Sequence, residues 1–201
     1  MNDTREHILR VAFNLFLQKS YRDVTLKEIV DKTGLSKGAF YHYFPSKETL
    51  FLEIIDNYLL ASQELLFKGM PMNNLKQFML AYLERMIGFF DGLKKEIESV
   101  DGRMAINYFS LAFDALRIIP GFTEKIDLLH AKERALWVEI FKNARANGEI
   151  ATSMSDLQLA RIFVALNDGI GMHQILEGKL EELPGEIFNI WMGIYNQIKT
   201  Q

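Results

Sequence analysis

Apolar residues return at every third or fourth position along almost all of this 201-residue chain, and no stretch alternates as a half-buried strand would. That period dictates helices. The expected fold is all-α, with about nine helices separated by Gly, Pro and Asn breaks, and with neither an internal repeat nor a low-complexity segment. A content of 49% hydrophobic and 24% charged residues supports a packed core and excludes disorder. There is no cysteine, so disulfides and thiolate metal sites are excluded. Met1-Asn2-Asp3-Thr4 lacks the basic and apolar regions of a signal peptide, and no apolar run of about twenty residues exists to span a membrane. A cytoplasmic location without a membrane partner is expected.

Local signals place the helix ends. The first helix opens at Asp3, with Glu6 three residues on, and buries Ile8, Ala12, Leu15 and Phe16. Thr25 opens the second, with Leu26, Ile29 and Val30 inward, and Gly34 closes it by taking the left-handed turn. Ser36 caps a third helix that Pro45 stops, and Ser46 caps a long fourth that runs to about Gly69. Beyond the break at 69–74 come a helix with Phe78, Tyr82, Met86 and Phe89 ending at Gly92, and one through Tyr108, Leu111 and Ala115 to Pro120-Gly121. A helix with Trp137, Ile140 and Phe141 stops at Asn147-Gly148. One capped by Ser155 and Gln158 ends at Gly178, and Pro184 starts the last.

Thr25 to Phe44 thus has the layout of a helix-turn-helix. In its second helix the spacing turns Leu35, Ala39, Phe40 and Tyr43 mainly inward and Lys37, Gly38, Tyr41 and His42 outward. The outward set suits a DNA major groove. Lys37 donates to guanine or phosphate, Gly38 lets backbones approach, and Tyr41 and His42 both stack and hydrogen-bond. Thr25 and Lys27 lie at a helix N-terminus, where free N–H groups favour phosphate, and Lys47 holds the equivalent place on the fourth helix. Charge agrees: residues 1–47 carry eight Lys/Arg against five Asp/Glu, whereas the rest is acidic enough to bring the chain to −3. A helix pair with a glycine turn also occurs as plain packing in all-helical proteins. What favours DNA is the pair of aromatics on a face that would otherwise be solvated.

Residues 4–52 resemble the N-terminal domain of the TetR family of bacterial regulators. The resemblance is carried by Ile8-x-x-x-Ala12-x-x-Leu15-Phe16, Val24-Thr25-Leu26-x-x-Ile29-Val30, the run Thr33 to Phe44, and Ser46-Lys47-Glu48-x-Leu50. Ser20-Tyr21 departs from the family's usual Gly before an aromatic. The resemblance implies a homodimer that places its recognition helices in successive major grooves of a palindromic operator, most often as a repressor, and is released by a small ligand. It puts Lys37, Gly38, Ala39, Tyr41 and His42 at bases or backbone, and Thr25, Lys27, Tyr43 and Lys47 at phosphates. Residues 1–47 are then the DNA-binding domain and 48–201 the ligand-binding and dimerisation domain.

In the body, the last two helices carry wide apolar stripes. Phe163, Ile170, Ile187, Trp191, Ile194 and Ile198 are the expected two-fold interface, with packing inside one protomer as the competing use. Tyr82, Met86, Phe89, Tyr108, Trp137, Phe141 and Asn167 are candidate lining for a hydrophobic or aromatic effector, although such side chains at helical spacing are more often plain core. Enzyme chemistry has little support. His7, His42, His130 and His173 form no metal motif, the His173–Glu177 pair with Asp168 is commonplace on a helix, and Gly169-Ile170-Gly171 follows no strand. No cofactor and no metal are expected. The alternatives are a helical small-molecule-binding protein or an enzyme, either without operator binding.

Overall fold

The computed structural model describes residues 2–96 and 103–200, and they are helical nearly throughout. The elements are α1 (Asn2–Gln18), α2 (Leu26–Thr33), α3 (Lys37–Tyr43), α4 (Lys47–Ile54), a π-helical segment (Ile55–Leu60), α5 (Ala61–Phe67) and α6 (Leu75–Glu96). They continue with α7 (Arg103–Ile118), α8 (Phe122–Ala146), α9 (Asp156–Leu176), a 3₁₀ turn (Leu180–Glu182) and α10 (Leu183–Ile198). Lys47–Phe67 runs without a break, so α4, the π segment and α5 make one long helix, and nine helices are described in all. The all-α expectation holds. Gly92 does not end its helix, because α6 runs through it to Glu96; a single helix-interior glycine costs only about 1 kcal/mol.

The chain divides into two compact units, Met1–Ser62 with Gly92–Thr123, and Gln63–Asp91 with Glu124–Gln201. Each is built from two separate stretches, a different division from two consecutive domains meeting at residue 47. In the first unit, Ile8, Ala12, Phe16, Val24, Ile29, Phe40, Phe44, Leu50 and Phe51 are fully buried. Burying a phenyl side chain is worth roughly 2–3 kcal/mol, so this aromatic centre holds α1 to α4 together. Phe13 stacks on Tyr58 at 4.2 Å, Phe16 meets Phe51 edge-on at 5.5 Å, and α7 packs along α1.

The second unit is centred on Phe78, Tyr82, Trp137, Phe141, Phe163 and Trp191. Its connections are fixed by polar contacts that join residues distant in sequence. The Glu149 carboxylate accepts from Leu75 N (2.8 Å) and Lys76 N (3.1 Å), capping α6, and from the Tyr195 hydroxyl (3.2 Å). Arg145 donates to the Thr152 and Met154 carbonyls and to Asp156, holding the turn that leads into α9. Ser155 and Gln158 complete the expected capping box. An isolated bridge between Ile150 and Lys199 ties down the C-terminal end.

Candidate functional site

The helix-turn-helix is built by three hydroxyl caps and one left-handed glycine. Thr25 Oγ1 accepts from Glu28 N (3.1 Å), Ser36 Oγ from Ala39 N (3.2 Å) and Ser46 Oγ from Thr49 N (3.1 Å). Each satisfies a backbone donor that the helix itself leaves free. Gly34 sits at φ 69°, a conformation that costs a residue with a Cβ about 1–2 kcal/mol. The His7 ring nitrogen lies 3.2 Å from the Thr33 carbonyl, holding α1 against the end of α2.

This frame exposes Thr25, Lys27, Lys37, Gly38, Ala39, Tyr41 and His42. Only Phe40 of α3 is fully buried, with Leu35 and Tyr43 partly so. The inward assignment of Ala39 is therefore corrected: α3 packs by one edge alone, and its Ala39 methyl faces solvent beside Gly38. A Cβ built on Gly38 would meet nothing within 4 Å, so the protein's own packing makes no demand for glycine there. Lys37 Nζ lies 5.9 Å from the Tyr41 ring centroid, and the His42 and Tyr43 rings meet edge-on at 5.4 Å. Leu26, Lys27, Val30, Asp31, Lys37 and Tyr41 line a shallow groove between α2 and α3.

Lys47 differs from the other cations of this surface. Its ammonium donates to the Tyr21 carbonyl (2.5 Å) and the Val24 carbonyl (2.6 Å) and stands over the Tyr21 ring. Partial burial holds its pKa below the ordinary lysine value, while Glu48 pulls it upward. Tyr21 is pushed up to about 12, first by burial and then by the Glu48 charge beside it. Sequence spacing gave no sign of this 26-residue link. Arg5, which pairs with Glu53 and lies over the Phe44 ring at 5.0 Å, was missed for the same reason.

Of the candidate effector residues, Tyr82, Met86, Trp137 and Phe141 are buried in the second unit, Phe89 and Asn167 are partly buried, and the Tyr108 side chain lies outside the described residues. Trp137 meets Phe78, Phe163 and Trp191 at 4.9–5.0 Å, so these rings make the core itself.

The six residues of the expected interface stripe lie mainly inside one protomer. Phe163, Ile170, Ile187, Trp191 and Ile198 are buried within their own protomer, and Ile194 partly so, because α9 and α10 turn their largest side chains onto Trp137. What α9 leaves in solvent is a narrower line of Ile162, Ala165, Gly169, Met172 and Leu176. His173 is exposed, and Glu177 pairs with Lys179. Among the described residues no group of His, Asp and Glu is placed to hold a metal, and no helix is long and apolar enough to cross a membrane.

Known proteins share this architecture. A family model described as bacterial regulatory proteins, tetR family, matches residues 8–54. An uncharacterized HTH-type transcriptional regulator of Bacillus subtilis, YerO, is 38% identical over 76 residues, which are 38% of this chain and 23% of YerO. The chain spans less than half the length of such locally similar relatives. The HTH-type transcriptional repressor NemR of Escherichia coli is 23% identical over 94% of this chain and 92% of its own. Its reduced-form crystal structure superposes with a TM-score of 0.62 at 25% identity, covering 93% and 95% of the two chains. A transcriptional regulator from Saccharomonospora viridis, solved in complex with choline, superposes over the full length of both chains with a TM-score of 0.72 at 16% identity. These relatives are transcriptional regulators, and residues 8–54 of this chain, the helix-turn-helix with its flanking helices, match the tetR family of bacterial regulatory proteins.

Proposed function

We propose that the chain is a transcriptional repressor that binds a two-fold operator as a homodimer, reads it with α3, and leaves it when a small organic molecule enters the second unit. The observation that carries the reading is the outer edge of α3, where Lys37, Gly38, Ala39, Tyr41 and His42 are all exposed on a helix seven residues long. A lysine donor, two rings that both stack and hydrogen-bond, and a bare backbone are what a major groove requires. Thr25, Lys27 and Tyr43 flank that edge as phosphate contacts, and Lys47 supports them by fixing the turn before Thr25.

The dimer is assigned to the exposed line Ile162, Ala165, Gly169, Met172 and Leu176 of α9, with Gly185, Asn189 and Gly193 of α10 beside it. Small residues there let two helix pairs approach closely, as a four-helix interface needs. The effector reading is supported by the polar groups within the second unit and by the choline held in the Saccharomonospora viridis fold neighbour. The covalent route between the units includes the helix 47–67, whose π-helical segment ends two residues before the division at Ser62. A ligand that prefers the non-binding arrangement of the dimer then weakens operator binding, and the operator weakens the ligand by the same factor.

Footprinting with genomic fragments tests this. Two protected half-sites related by a two-fold and about 34–36 Å apart are expected. Tyr41→Ala should abolish the footprint at protein concentrations that saturate the wild type. A protein that protects no fragment would be a helical ligand-binding protein instead.

A further inference from the structure

The second unit keeps two acids and several polar atoms that its own packing does not satisfy. Tyr82 (α6), Glu133 and Trp137 (α8), Asp168 (α9) and Trp191 (α10) are linked by ring contacts and by charge. The Tyr82 ring lies 5.1 Å from Trp191 and 6.3 Å from Trp137, and the two indoles meet at 4.9 Å. Both indole Nε1 groups, on fully buried side chains, lack a hydrogen-bond partner among the described residues, and so do both amide atoms of Asn167. Such groups in a native interior call for an explanation.

Two acids act on this cluster. Glu133 feels the charge of Asp168, and both act on the Tyr82 hydroxyl. The Glu133 carboxyl is pushed up to about 7, first by burial and then by Asp168. The nearby Trp137 indole N–H, short of a full hydrogen bond, and Arg134 draw it partly back. Asp168, at the exposed end of the group, is raised by burial against the pull of His130. Tyr82 is raised far beyond the ordinary phenol value by burial and the two carboxylates, and stays protonated. Arg134 and His130 are thus the basic groups felt here, and neither restores the acids to their ordinary range.

We propose that Glu133 and Asp168, with the ring faces of Tyr82, Trp137 and Trp191, form a binding site for a lipophilic organic monocation. The inference rests on the effector reading above and gives that effector its chemistry. Carboxylates supply the charge that a desolvated cation needs, and Trp and Tyr faces attract cations most strongly when water is excluded. A metal ion demands several oxygen or nitrogen ligands at once, and no such group is found among the described residues. An organic cation needs one counter-charge and an apolar wall. The Trp191 indole N–H is left for a polar function on the ligand's body.

The only two tryptophans of the chain, Trp137 and Trp191, both lie here, so intrinsic fluorescence reads the site directly. The probes are tetraphenylphosphonium and benzyltrimethylammonium, titrated against their anionic or uncharged counterparts, tetraphenylborate and neopentylbenzene. Saturable quenching by at least one cation is expected, with its counterpart at least about tenfold weaker. Glu133→Gln and Asp168→Asn should each weaken the cation about tenfold, with thermal melts confirming that each variant is folded. In wild-type protein, where no variant can misfold, affinity should rise roughly tenfold from about pH 6 to about pH 8 as Glu133 loses its proton. Silence from both cations, equal binding of the counterparts, or affinity indifferent both to pH and to the two folded variants overturns the site. Footprinting separates the two readings. Operator protection without cation binding overturns only this inference, and cation binding without protection overturns the repressor while leaving the site.

Discussion

The Lys47 ammonium lies 4.1 Å from the centre of the Tyr21 ring while donating to the Tyr21 carbonyl, so one side chain fastens the start of α4 to the turn that precedes α2. A second bond to Val24 O places it beside Thr25, the residue that caps α2. Hydrogen bonds from a charged donor are worth about 1.5–3 kcal/mol each when partly buried, and Lys47→Met leaves two carbonyls without that donor. The variant should lose about 2 kcal/mol in total once water has replaced part of the bonding, which lowers Tm by roughly 4–8 °C in a chain of this size. Its affinity should fall alike for specific and random DNA. An unchanged melting temperature would show that the contact contributes nothing.

On α3 the exposed side chains should separate by role. Tyr41→Ala or His42→Ala should cost about 1–3 kcal/mol in operator affinity and little in stability, because neither side chain is part of the core. Gly38→Ala is the sharper test. Its Cβ meets nothing in the free protein, and alanine is the better helix former by about 1 kcal/mol. The melting temperature should hold or rise while operator affinity falls. Thermal melts follow the first and fluorescence anisotropy against the footprinted site the second. A Gly38→Ala variant with full affinity would remove this position from the interface.

Caps and turns were legible because they are local. Thr25, Gly34, Ser36, Ser46 and the Ser155–Gln158 box act within three residues of themselves, and each does what its position foretells. The long-range polar contacts were not. Lys47 to Tyr21 spans 26 residues and Glu149 to Leu75 spans 74, and no spacing rule encodes such distances. Apolar stripes were legible as helices but ambiguous as faces. α9 and α10 are apolar on more than one side, so period alone could not tell Trp191, which faces the core, from Met172, which faces solvent. On the short α3, a single buried Phe40 sufficed to seat the helix, and Ala39 was left outside.

The raised Glu133 carboxyl makes a prediction about pH that needs no ligand. Its proton is held more tightly in the folded state, at about 7, than at the ordinary 4.5. The stability it contributes is therefore full below about pH 4.5 and lost as the pH climbs through about 7. The ceiling is about 3 kcal/mol, most of it from burial and the next part from the Asp168 charge. Urea midpoints should fall between about pH 5 and about pH 8 in the wild type, and Glu133→Gln should flatten that fall. A variant with the wild-type slope would show that the carboxyl is solvated.

Assembly is tested by the contrast between Trp191 and Gly169. Trp191 has no exposed surface, so Trp191→Asp places an unpaired carboxylate in the second unit's core and should unfold the chain rather than split a dimer. Gly169 lies in the middle of the exposed α9 line, and a Cβ there meets nothing within 4 Å. Within one protomer, Gly169→Leu should be harmless or stabilising by up to about 1 kcal/mol through helix propensity. Across a two-fold axis it should be damaging, because small residues set how closely the helices approach. Sedimentation at micromolar concentration should find a wild-type dimer and a Gly169→Leu monomer whose helical content is undiminished. Met172→Asp should act in the same direction by placing a charge against its own symmetry mate. A wild-type monomer would defeat the assembly claim, and a Gly169→Leu dimer of unaltered affinity would move the interface away from this face of α9.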